Sequence, residues 1–370
     1  MYRRESSSKE YIDPSRFKEF KTLVSALYSL YYKSTPNIEE PENIMRREFA
    51  FQFFDMDSYV RHLSFDTYEE LLEFLAEKNP RHAYYSIAEY ELPEAKSMEE
   101  KNWLGSDLLF DLDLDHLEYC KDKRVEGDKG YVLDDSCYQE GYRLMLRLKS
   151  MIKRDLSPEE IIIYFTGHRG FHMRVICKEC RGLGKTARRE LALYFAGQEI
   201  DPYLIFPSVQ VVKRGRRKTR LVPALPEETD PGWRGWIAQY IYDKKGKSLV
   251  DVFGESWEYE ILKIIKEISV PIDVMVTQDP SRLTRIIGSL HGKGHLLVTD
   301  VSSGLRLHYS RLSPFKGWVR VEYLQDVKNI SFMGVELSGQ EKNTDEIPAS
   351  IALHLAEKGI VRLLGGELYV

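Results

Sequence analysis

The order of apolar and polar residues along the chain predicts helices and short strands that follow one another closely. Helices are predicted where apolar residues recur every three to four positions, and strands where they alternate or run together. The predicted helices cover residues 13–32, 66–79, 136–153, 185–195, 256–268 and 348–358. The predicted strands cover 83–90, 106–112, 161–165, 171–177, 270–276 and 295–300, with hairpins over 48–62 and 360–370 and a charged loop over 118–135. This order predicts a mixed α/β (α+β) fold.

Strand patterns become sparse in the middle of the chain. Between residues 188 and 268 the sequence carries helical patterns and a basic loop. We therefore predict a core formed by residues 1–187 and 269–370, with a mainly helical insertion over 188–268.

Composition indicates a folded, soluble protein. Of the 370 residues, 43% are hydrophobic and 30% are charged, which excludes a mainly disordered chain and a fibrous one. No apolar run approaches the roughly 18 residues that cross a bilayer, and the first residues lack the apolar core of a secretory signal. We expect a cytoplasmic protein without membrane association. The net charge of -5 means that a polyanion would have to bind at local basic patches.

A pair of aspartates lies at the end of an apolar strand in the segment LLFDLDLDH. Asp111 and Asp113 are two residues apart, so both side chains point to one face of the strand. Carboxylate oxygens in this arrangement can share divalent cations. The alternative to a metal site is a strand end whose aspartates are only solvated. Asp115 is two residues further on, but we expect it to lie beyond the strand.

The segment TGHRGFH, residues 166–172, has the composition of a phosphate-binding turn. A glycine stands on each side of the pair His168 and Arg169, and His172 follows in the next strand. Glycines let backbone N–H groups and cationic side chains approach phosphate oxygens. The alternative is an ordinary hairpin turn with a buried His172.

A second cationic segment follows a third carboxylate. Asp273 is predicted inside an apolar strand, where an unpaired carboxylate is costly unless a cation compensates it. Downstream, Arg282, Arg285, His291 and Lys293 are interleaved with glycines, although surface cations are the simpler explanation. Together the carboxylates and the two cationic segments match the needs of nucleotidyl transfer, in which metals activate a hydroxyl and cations hold a triphosphate.

The motifs FDLD, TGHRGFH and IDVMVTQDPSRLTRIIGSLHGK, in this order, resemble the catalytic small subunit of archaeal and eukaryotic DNA primases. The resemblance extends to RREFAF near residue 47. It implies a primase-type catalytic core with a helical insertion, and primer synthesis from nucleoside triphosphates on single-stranded DNA. It also implies Mg²⁺ or Mn²⁺ as cofactor and a large primase subunit as partner in a heterodimer.

The resemblance also assigns roles to individual residues. Asp111, Asp113 and Asp273 would form the catalytic, metal-binding triad, and Thr166 would replace the family's usual serine. The residues expected to contact the nucleotide are Glu48, Arg61, Thr166, His168, Arg169, His172, Arg285, His291 and Lys293.

The sequence departs from the family at its zinc site. Relatives carry four Cys or His ligands soon after the aspartate pair, whereas that interval here offers only His116, Cys120 and Cys137. The one CxxC motif, Cys177 and Cys180, lies further on, with the spacing of half a zinc site. Two alternatives follow: a zinc site built from distant ligands, or a disulfide between Cys120 and Cys137.

A basic run in the predicted insertion is the candidate contact for template DNA. It has six cations in eight residues, and a solvated loop is the alternative. The six residues are Lys213, Arg214, Arg216, Arg217, Lys218 and Arg220.

Three other functions are compatible with parts of the pattern. A related primase-polymerase of repair or plasmid replication would share the triad. A glycosyltransferase that uses Asp-x-Asp and a nucleotide sugar would explain neither Asp273 nor the two His-Gly segments. An inactive nucleic-acid-binding module would not need an intact triad.

Overall fold

The computed structural model of the chain describes residues 11–206, 208–212, 219–223, 226–243 and 256–370. The helices are α1 (Phe20–Lys33), α2 (Tyr68–Lys78), α3 (Met98–Lys101), α4 (Asp135–Leu156), α5 (Lys185–Phe195), α6 (Pro202–Ile205), α7 (Gly232–Asp243), α8 (Trp257–Ile268), α9 (Val274–Gln278), α10 (Tyr309–Leu312) and α11 (Ala349–Glu357). The first ten strands are β1 (Phe49–Gln52), β2 (Val60–Leu63), β3 (His82–Ser86), β4 (Ala88–Tyr90), β5 (Trp103–Ser106), β6 (Leu108–Asp113), β7 (Arg124–Gly127), β8 (Gly130–Leu133), β9 (Glu160–Phe165) and β10 (Gly170–Ile176). The others are β11 (Ser208–Val212), β12 (Thr219–Pro223), β13 (Leu283–Arg285), β14 (Thr299–Asp300), β15 (Lys316–Tyr323), β16 (Val327–Phe332), β17 (Val335–Gly339), β18 (Thr344–Pro348) and β19 (Val361–Tyr369).

Two four-stranded antiparallel sheets carry several of the candidate residues, namely Arg61, Asp111, Asp113, His172 and Arg285. The first sheet has the order β13-β3-β1-β2 and the second has the order β14-β9-β10-β6. A third sheet, β18-β15-β19, is formed by the C-terminal part of the chain, and the remaining strands form two-stranded antiparallel sheets. The mixed helix and sheet content confirms the predicted fold class.

Helix α4 covers one face of the second sheet. Asp134 caps the helix, because its Oδ1 accepts a hydrogen bond from the Ser136 backbone N–H at 2.9 Å. The apolar side of α4 is buried and packs against β10. Since α4 occupies that face, the opposite face of the sheet is left for polar side chains.

A buried ion network holds the two four-stranded sheets together. Asp107, just before β6, accepts a hydrogen bond from Arg174 of β10 at 3.0 Å and lies 3.7 Å from Arg47, just before β1. Arg47 also pairs with Glu89 of β4 at 3.2 Å. Charges this deeply buried are tolerated only when they are paired, so the network fixes the relative position of the sheets.

The structure corrects the strand predicted over 270–276. Asp273 does not lie inside a strand; it caps α9, and its Oδ1 accepts a hydrogen bond from the Met275 backbone N–H at 2.8 Å. The apolar run around it is short, and such a run cannot be assigned to strand or helix by periodicity. The predicted cost of burying Asp273 therefore does not arise.

The predicted C-terminal hairpin is also wrong. Gly365 and Gly366 continue one strand, β19, which pairs with β15. Both have strongly positive φ angles (152° and 138°), and a Cβ at Gly366 would lie 2.4 Å from the Trp318 carbonyl oxygen. The glycines thus permit a close, irregular strand pairing that their sequence pattern alone could not distinguish from a turn.

Smaller differences concern element ends. The first helix begins at Phe20, after a separate 3-10 turn at Pro14–Arg16, and the second is capped by Thr67 rather than Asp66. The strand predicted over 295–300 is reduced to β14, and the charged loop over 118–135 contains the β7–β8 hairpin.

The predicted insertion contains α6, α7, α8 and most of α5, together with an unpredicted hairpin, β11–β12. Division of the chain at residues 187 and 269 stays a prediction. In the described part of the chain, no helix combines the length and apolar character needed to span a membrane.

Candidate active site

The second sheet brings the first two motifs together. Asp111 lies opposite His172 and Asp113 lies opposite Gly170 in the antiparallel pairing of β6 with β10. The His172 Nε2 and Asp111 Oδ1 atoms are 3.4 Å apart. His172 Nδ1 is 3.2 Å from the Tyr164 hydroxyl, which fixes the ring beside the carboxylates.

The tight turn between β9 and β10 depends on glycine. A Cβ on Gly170 would lie 2.9 Å from the Leu112 carbonyl oxygen and 3.1 Å from Asp113 Oδ1. Thr166 Oγ1 donates to the Gly170 carbonyl at 3.1 Å, so its hydroxyl closes the turn. The Leu114 backbone N–H donates to the Arg169 carbonyl at 2.9 Å, which attaches the turn to the end of β6.

Asp273 joins this site through its backbone. Its N–H donates to the Asp111 carbonyl oxygen at 3.0 Å, and its side chain is exposed. In the described side-chain positions, no three His, Cys, Asp or Glu residues converge closely enough to hold a metal ion. The three predicted triad residues are thus neighbours, but their carboxylate oxygens do not converge on a single metal position.

The paired aspartates form a centre of negative charge. Burial, followed by repulsion from Asp273, raises the pKa of Asp111 to about 6. Burial, followed by repulsion from Asp111 and Asp115, raises the pKa of Asp113 to about 6. Carboxylates are the ligands that Mg²⁺ and Mn²⁺ prefer, and a divalent cation would relieve this repulsion. The donor set therefore fits the implied metal.

Cations border the carboxylates on the side of the first sheet. Arg285 of β13 donates from Nη1 to His82 Nδ1 at 3.0 Å, and its guanidinium lies 4.7 Å from the centre of the Tyr84 ring. Burial is the main cause that lowers the pKa of His172 to about 3, and the positive charges of Arg285 and Arg282 add to it. His172 is therefore a neutral donor or acceptor near neutral pH, while the arginines carry the positive charge.

Two other predicted histidines stack on each other. The rings of His168 and His291 are 4.9 Å apart at 21°. His291 Nδ1 accepts hydrogen bonds from the backbone N–H groups of Lys293 and Gly294 at 3.1 and 3.2 Å, which assigns the ring proton to Nε2. Burial is the main cause that lowers the pKa of both rings well below the usual range. The positive charge of Lys358 adds to this effect at His168, and that of Arg285 at His291.

Arg169 is held at the mouth of the site. Its Nη1 lies 3.3 Å from Asp115 Oδ2, and its guanidinium lies 4.3 Å from the centre of the Tyr131 ring. The Tyr131 hydroxyl donates to the same Asp115 oxygen at 2.6 Å. Asp115 is two residues beyond Asp113, but it pairs with Arg169 and does not join the aspartate pair.

Glu48 lies inside a buried ion cluster. Its carboxylate accepts hydrogen bonds from Arg61 Nε at 3.0 Å and from Lys101 Nζ at 2.8 Å, and its side chain is only 1% exposed. Burial acts to raise the pKa of Glu48, but the Lys101 and Arg61 donors outweigh it and the net pKa is lowered. Glu48 therefore orients Arg61, and the Arg61 side chain remains 43% exposed.

Three adjoining cavities form a groove around these residues. The central one, of about 240 Å³, contains Asp111, Asp113, His172 and Arg285 in its wall. A second, of about 290 Å³, contains Arg61 and shares Tyr84, Arg282 and Leu283 with the central one. A third, of about 560 Å³, shares His168 and Arg169 with the central one and also contains Lys293.

The cysteines do not form the disulfide that was one of the two alternatives. Cys177 and Cys180 are joined by a disulfide, whereas Cys120 and Cys137 are buried free thiols. The alternative of a Cys120–Cys137 disulfide is thus wrong. His116 is exposed at the end of a 3-10 turn. Zinc binding stays a prediction.

Most of the predicted DNA contact lies outside the described residues. Arg220 belongs to β12. The remaining five basic residues, Lys213, Arg214, Arg216, Arg217 and Lys218, are outside the described residues.

Sequence reasoning missed several residues that support the site. Lys101 binds Glu48, His82 binds Arg285, and Lys358 Nζ lies 2.7 Å from His168 Nε2. His82 and Tyr84 are two residues apart on β3, so the sequence placed both side chains on one face, and this spacing could have identified them. Lys101 and Lys358 carry no such signal, because a lysine near a helix C-terminus is usually solvated.

Comparison with known proteins agrees with the three motifs. The family model described as DNA primase small subunit matches residues 110–303. The DNA primase small subunit PriS of Aeropyrum pernix is 43% identical over 93% of this chain and 94% of its own length. The PriS proteins of Staphylothermus marinus and Sulfolobus acidocaldarius are 31% and 32% identical over 95% and 91% of this chain, covering 97% and 94% of their own lengths. These matches confirm the resemblance and the nucleotidyltransferase class: the chain belongs to the DNA primase small-subunit family.

Proposed function

We propose that this chain synthesises primers de novo on single-stranded DNA, by joining nucleoside triphosphates at the aspartate pair. The observation that carries the proposal is the groove: paired, mutually repelling carboxylates at its centre with arginines and neutral histidines around them. A nucleotide whose triphosphate lies in the central cavity can place its sugar and base in the adjoining cavity that contains Arg61 and Tyr84.

In the proposed reaction, the 3′-hydroxyl of one nucleotide attacks the α-phosphorus of the next. The hydroxyl loses its proton to water, a new O–P bond forms, and the bond between the α-phosphorus and the bridging oxygen breaks. Pyrophosphate leaves with the electron pair of that bond. Asp111, Asp113 and Asp273 would hold Mg²⁺ or Mn²⁺, which when bound would supply Lewis-acid activation and charge neutralisation.

The side chains of the groove would orient the triphosphate. Arg169, His172 and Arg285 offer hydrogen-bond donors or positive charge beside the aspartates, and their positions are held by the contacts described above. Preorganised donors favour the charge that develops on the leaving pyrophosphate. His291 and Lys293 extend this set, while Glu48 acts by orienting Arg61 toward the adjoining cavity.

Template and partner are proposed from the family. The names of the relatives describe a small subunit, which supports a large primase subunit as partner. The basic run over 213–220 supplies charge for sequence-independent contacts to single-stranded DNA.

Primer synthesis on unprimed single-stranded DNA tests the proposal. Labelled ribo- and deoxyribonucleotides are supplied separately with Mg²⁺ or Mn²⁺, and products are sized by electrophoresis. We expect short products from the wild-type chain and none from Asp113→Asn. Extension only when a primer is supplied would instead favour a repair-type polymerase, and no product under either condition would refute the proposal.

A further inference from the structure

The largest of the three cavities shares His168 and Arg169 with the central one, and apart from these and Lys293 its wall has no assigned role in the proposed nucleotide chemistry. It has a volume of about 560 Å³, within the range of small-molecule sites. Its walls are the start of α1, the β7–β8 hairpin, the turn that carries His168 and Arg169, and the C-terminal end of α11. Because His168 and Arg169 also line the aspartate cavity, the two cavities are direct neighbours.

Positive charge predominates in the wall of this cavity. Its cationic residues are Lys21, Lys129, Arg169, Lys293 and Lys358, against the carboxylates of Glu19 and Glu357. Glu357 is engaged elsewhere: it accepts from Arg81 Nη2 at 3.2 Å and lies 3.4 Å from His295 Nε2. The cavity is therefore suited to an anion with several charges.

Lys358 is the most unusual of these cations, because it is only 5% exposed. Within the described part of the chain its ammonium group donates to His168 Nε2 at 2.7 Å and to the Lys293 carbonyl at 2.9 Å, and it pairs with no carboxylate. Burial lowers the pKa of Lys358 to about 8; the Glu357 carboxylate opposes this shift, and the cations Arg169 and Lys293 add to it. A buried ammonium group that contacts no carboxylate is costly, and a bound anion would relieve that cost.

Arg169 supplies a second, independent observation. Its Nε is buried and has no hydrogen-bond partner among the described residues. An unsatisfied buried donor at the boundary between two cavities indicates a site for a ligand that accepts a hydrogen bond. Phosphate oxygens provide such acceptors, and arginine binds them in a defined planar geometry.

We propose that this cavity receives inorganic pyrophosphate after each nucleotide is added, with Lys358, Lys129 and Arg169 as its ligands. The inference rests on the proposed function. The cavity adjoins the aspartates on the side of His168 and Arg169, whereas the Arg61 cavity adjoins them on the side of Tyr84. Pyrophosphate can thus leave the reacting phosphorus without crossing the space assigned to the sugar and base.

Direct binding of pyrophosphate tests the site without catalysis. Inorganic pyrophosphate is titrated calorimetrically into the full-length wild type, Lys358→Met, Lys129→Gln and the control Lys328→Gln, without added divalent cation. Lys328 is an exposed lysine of β16 that does not line the cavity. We expect about tenfold weaker binding for Lys358→Met, as for removal of one charge-assisted hydrogen bond, and a smaller effect for Lys129→Gln. Lys328→Gln should bind as the wild type does.

Nucleotide binding separates the product from the substrate. Affinity for a nucleoside triphosphate should change less than twofold in the Lys129 variant, and pyrophosphate should inhibit synthesis by that variant only at higher concentration. Equal losses of nucleotide and pyrophosphate affinity would overturn the proposal, because the cavity would then hold the substrate's own phosphates.

The exposed Lys129 keeps the test valid if Lys358→Met does not fold. Thermal unfolding is measured for each variant, and unchanged pyrophosphate affinity in folded Lys129→Gln and Lys358→Met would overturn the proposal. If Lys358→Met does not fold, unchanged affinity in Lys129→Gln alone would overturn it. A wild type that binds pyrophosphate at this site but makes no primer would refute the proposed function and leave the anion site standing.

Discussion

Replacing Asp111 with Asn should stabilise the fold while abolishing primer synthesis. Burial and repulsion from Asp273 raise the pKa of Asp111 from 3.8 to about 6. Each unit of this shift corresponds to about 1.4 kcal/mol, so the ionised carboxylate costs the folded state roughly 3 kcal/mol above pH 7. Asn removes the charge but keeps most of the shape. We expect a gain of about 1–3 kcal/mol in the free energy of unfolding at pH 7.5.

The gain should depend on pH in a defined direction. A carboxyl group with a raised folded-state pKa binds protons more tightly when the protein is folded, so its cost is absent below the unfolded-state value. The cost grows between pH 3.8 and about 6 and is complete above that range. The advantage of Asp111→Asn should therefore shrink as the pH falls from 7.5 to 4.5.

Urea denaturation followed by circular dichroism measures both effects, with the exposed Asp57→Asn as control. Mn²⁺ provides a further readout that does not depend on activity. It should raise the unfolding midpoint of the wild type, because a ligand that binds only the folded state stabilises it, and it should raise that of Asp111→Asn much less. Destabilisation of Asp111→Asn at pH 7.5, or an equal response of both proteins to Mn²⁺, would refute the reasoning.

Three further predictions concern the groove and its supports. His172→Ala and Arg285→Ala should raise the KM for nucleotide and also lower kcat in steady-state assays, because both line the cavity that we propose for the triphosphate. Lys101→Met should lower the free energy of unfolding by about 3 kcal/mol, since it leaves the Glu48 carboxylate buried with one partner fewer. Replacing three cations of the 213–220 run with Gln should weaken single-stranded DNA binding and reduce the log–log salt slope by roughly 0.7 for each DNA phosphate that is no longer neutralised.

Each of these predictions has a result that contradicts it. Collapse of DNA binding with intact nucleotide binding in His172→Ala or Arg285→Ala would mean that these residues serve the template. The double variant Lys101→Met with Glu48→Gln should recover part of the stability, and no recovery would show that the lysine acts independently of the carboxylate. An unchanged salt slope after the Gln substitutions would exclude the basic run from DNA binding, and failure to form the heterodimer would identify it as a docking surface.

Local sequence was sufficient for the features that depend on neighbouring residues. Asp111 and Asp113 are two residues apart in one strand, and side chains at that spacing lie on the same face. The TGHRGFH turn has the glycine that its close approach to β6 requires. Helix α5 begins and ends at the residues predicted from its periodicity. The order of the motifs was likewise enough to indicate the family.

The tertiary structure decided the features that depend on contacts between distant residues. Asp273 reaches the aspartate pair through a backbone hydrogen bond to Asp111, far away in the sequence, and nothing local distinguishes its helix cap from a strand. Glu48 is buried because Lys101 and Arg61 fold onto it. Lys358 becomes a buried cation only because α11 ends against His168. Burial and charge pairing belong to the assembled fold, so the residues that orient the site could not be identified before their partners were known.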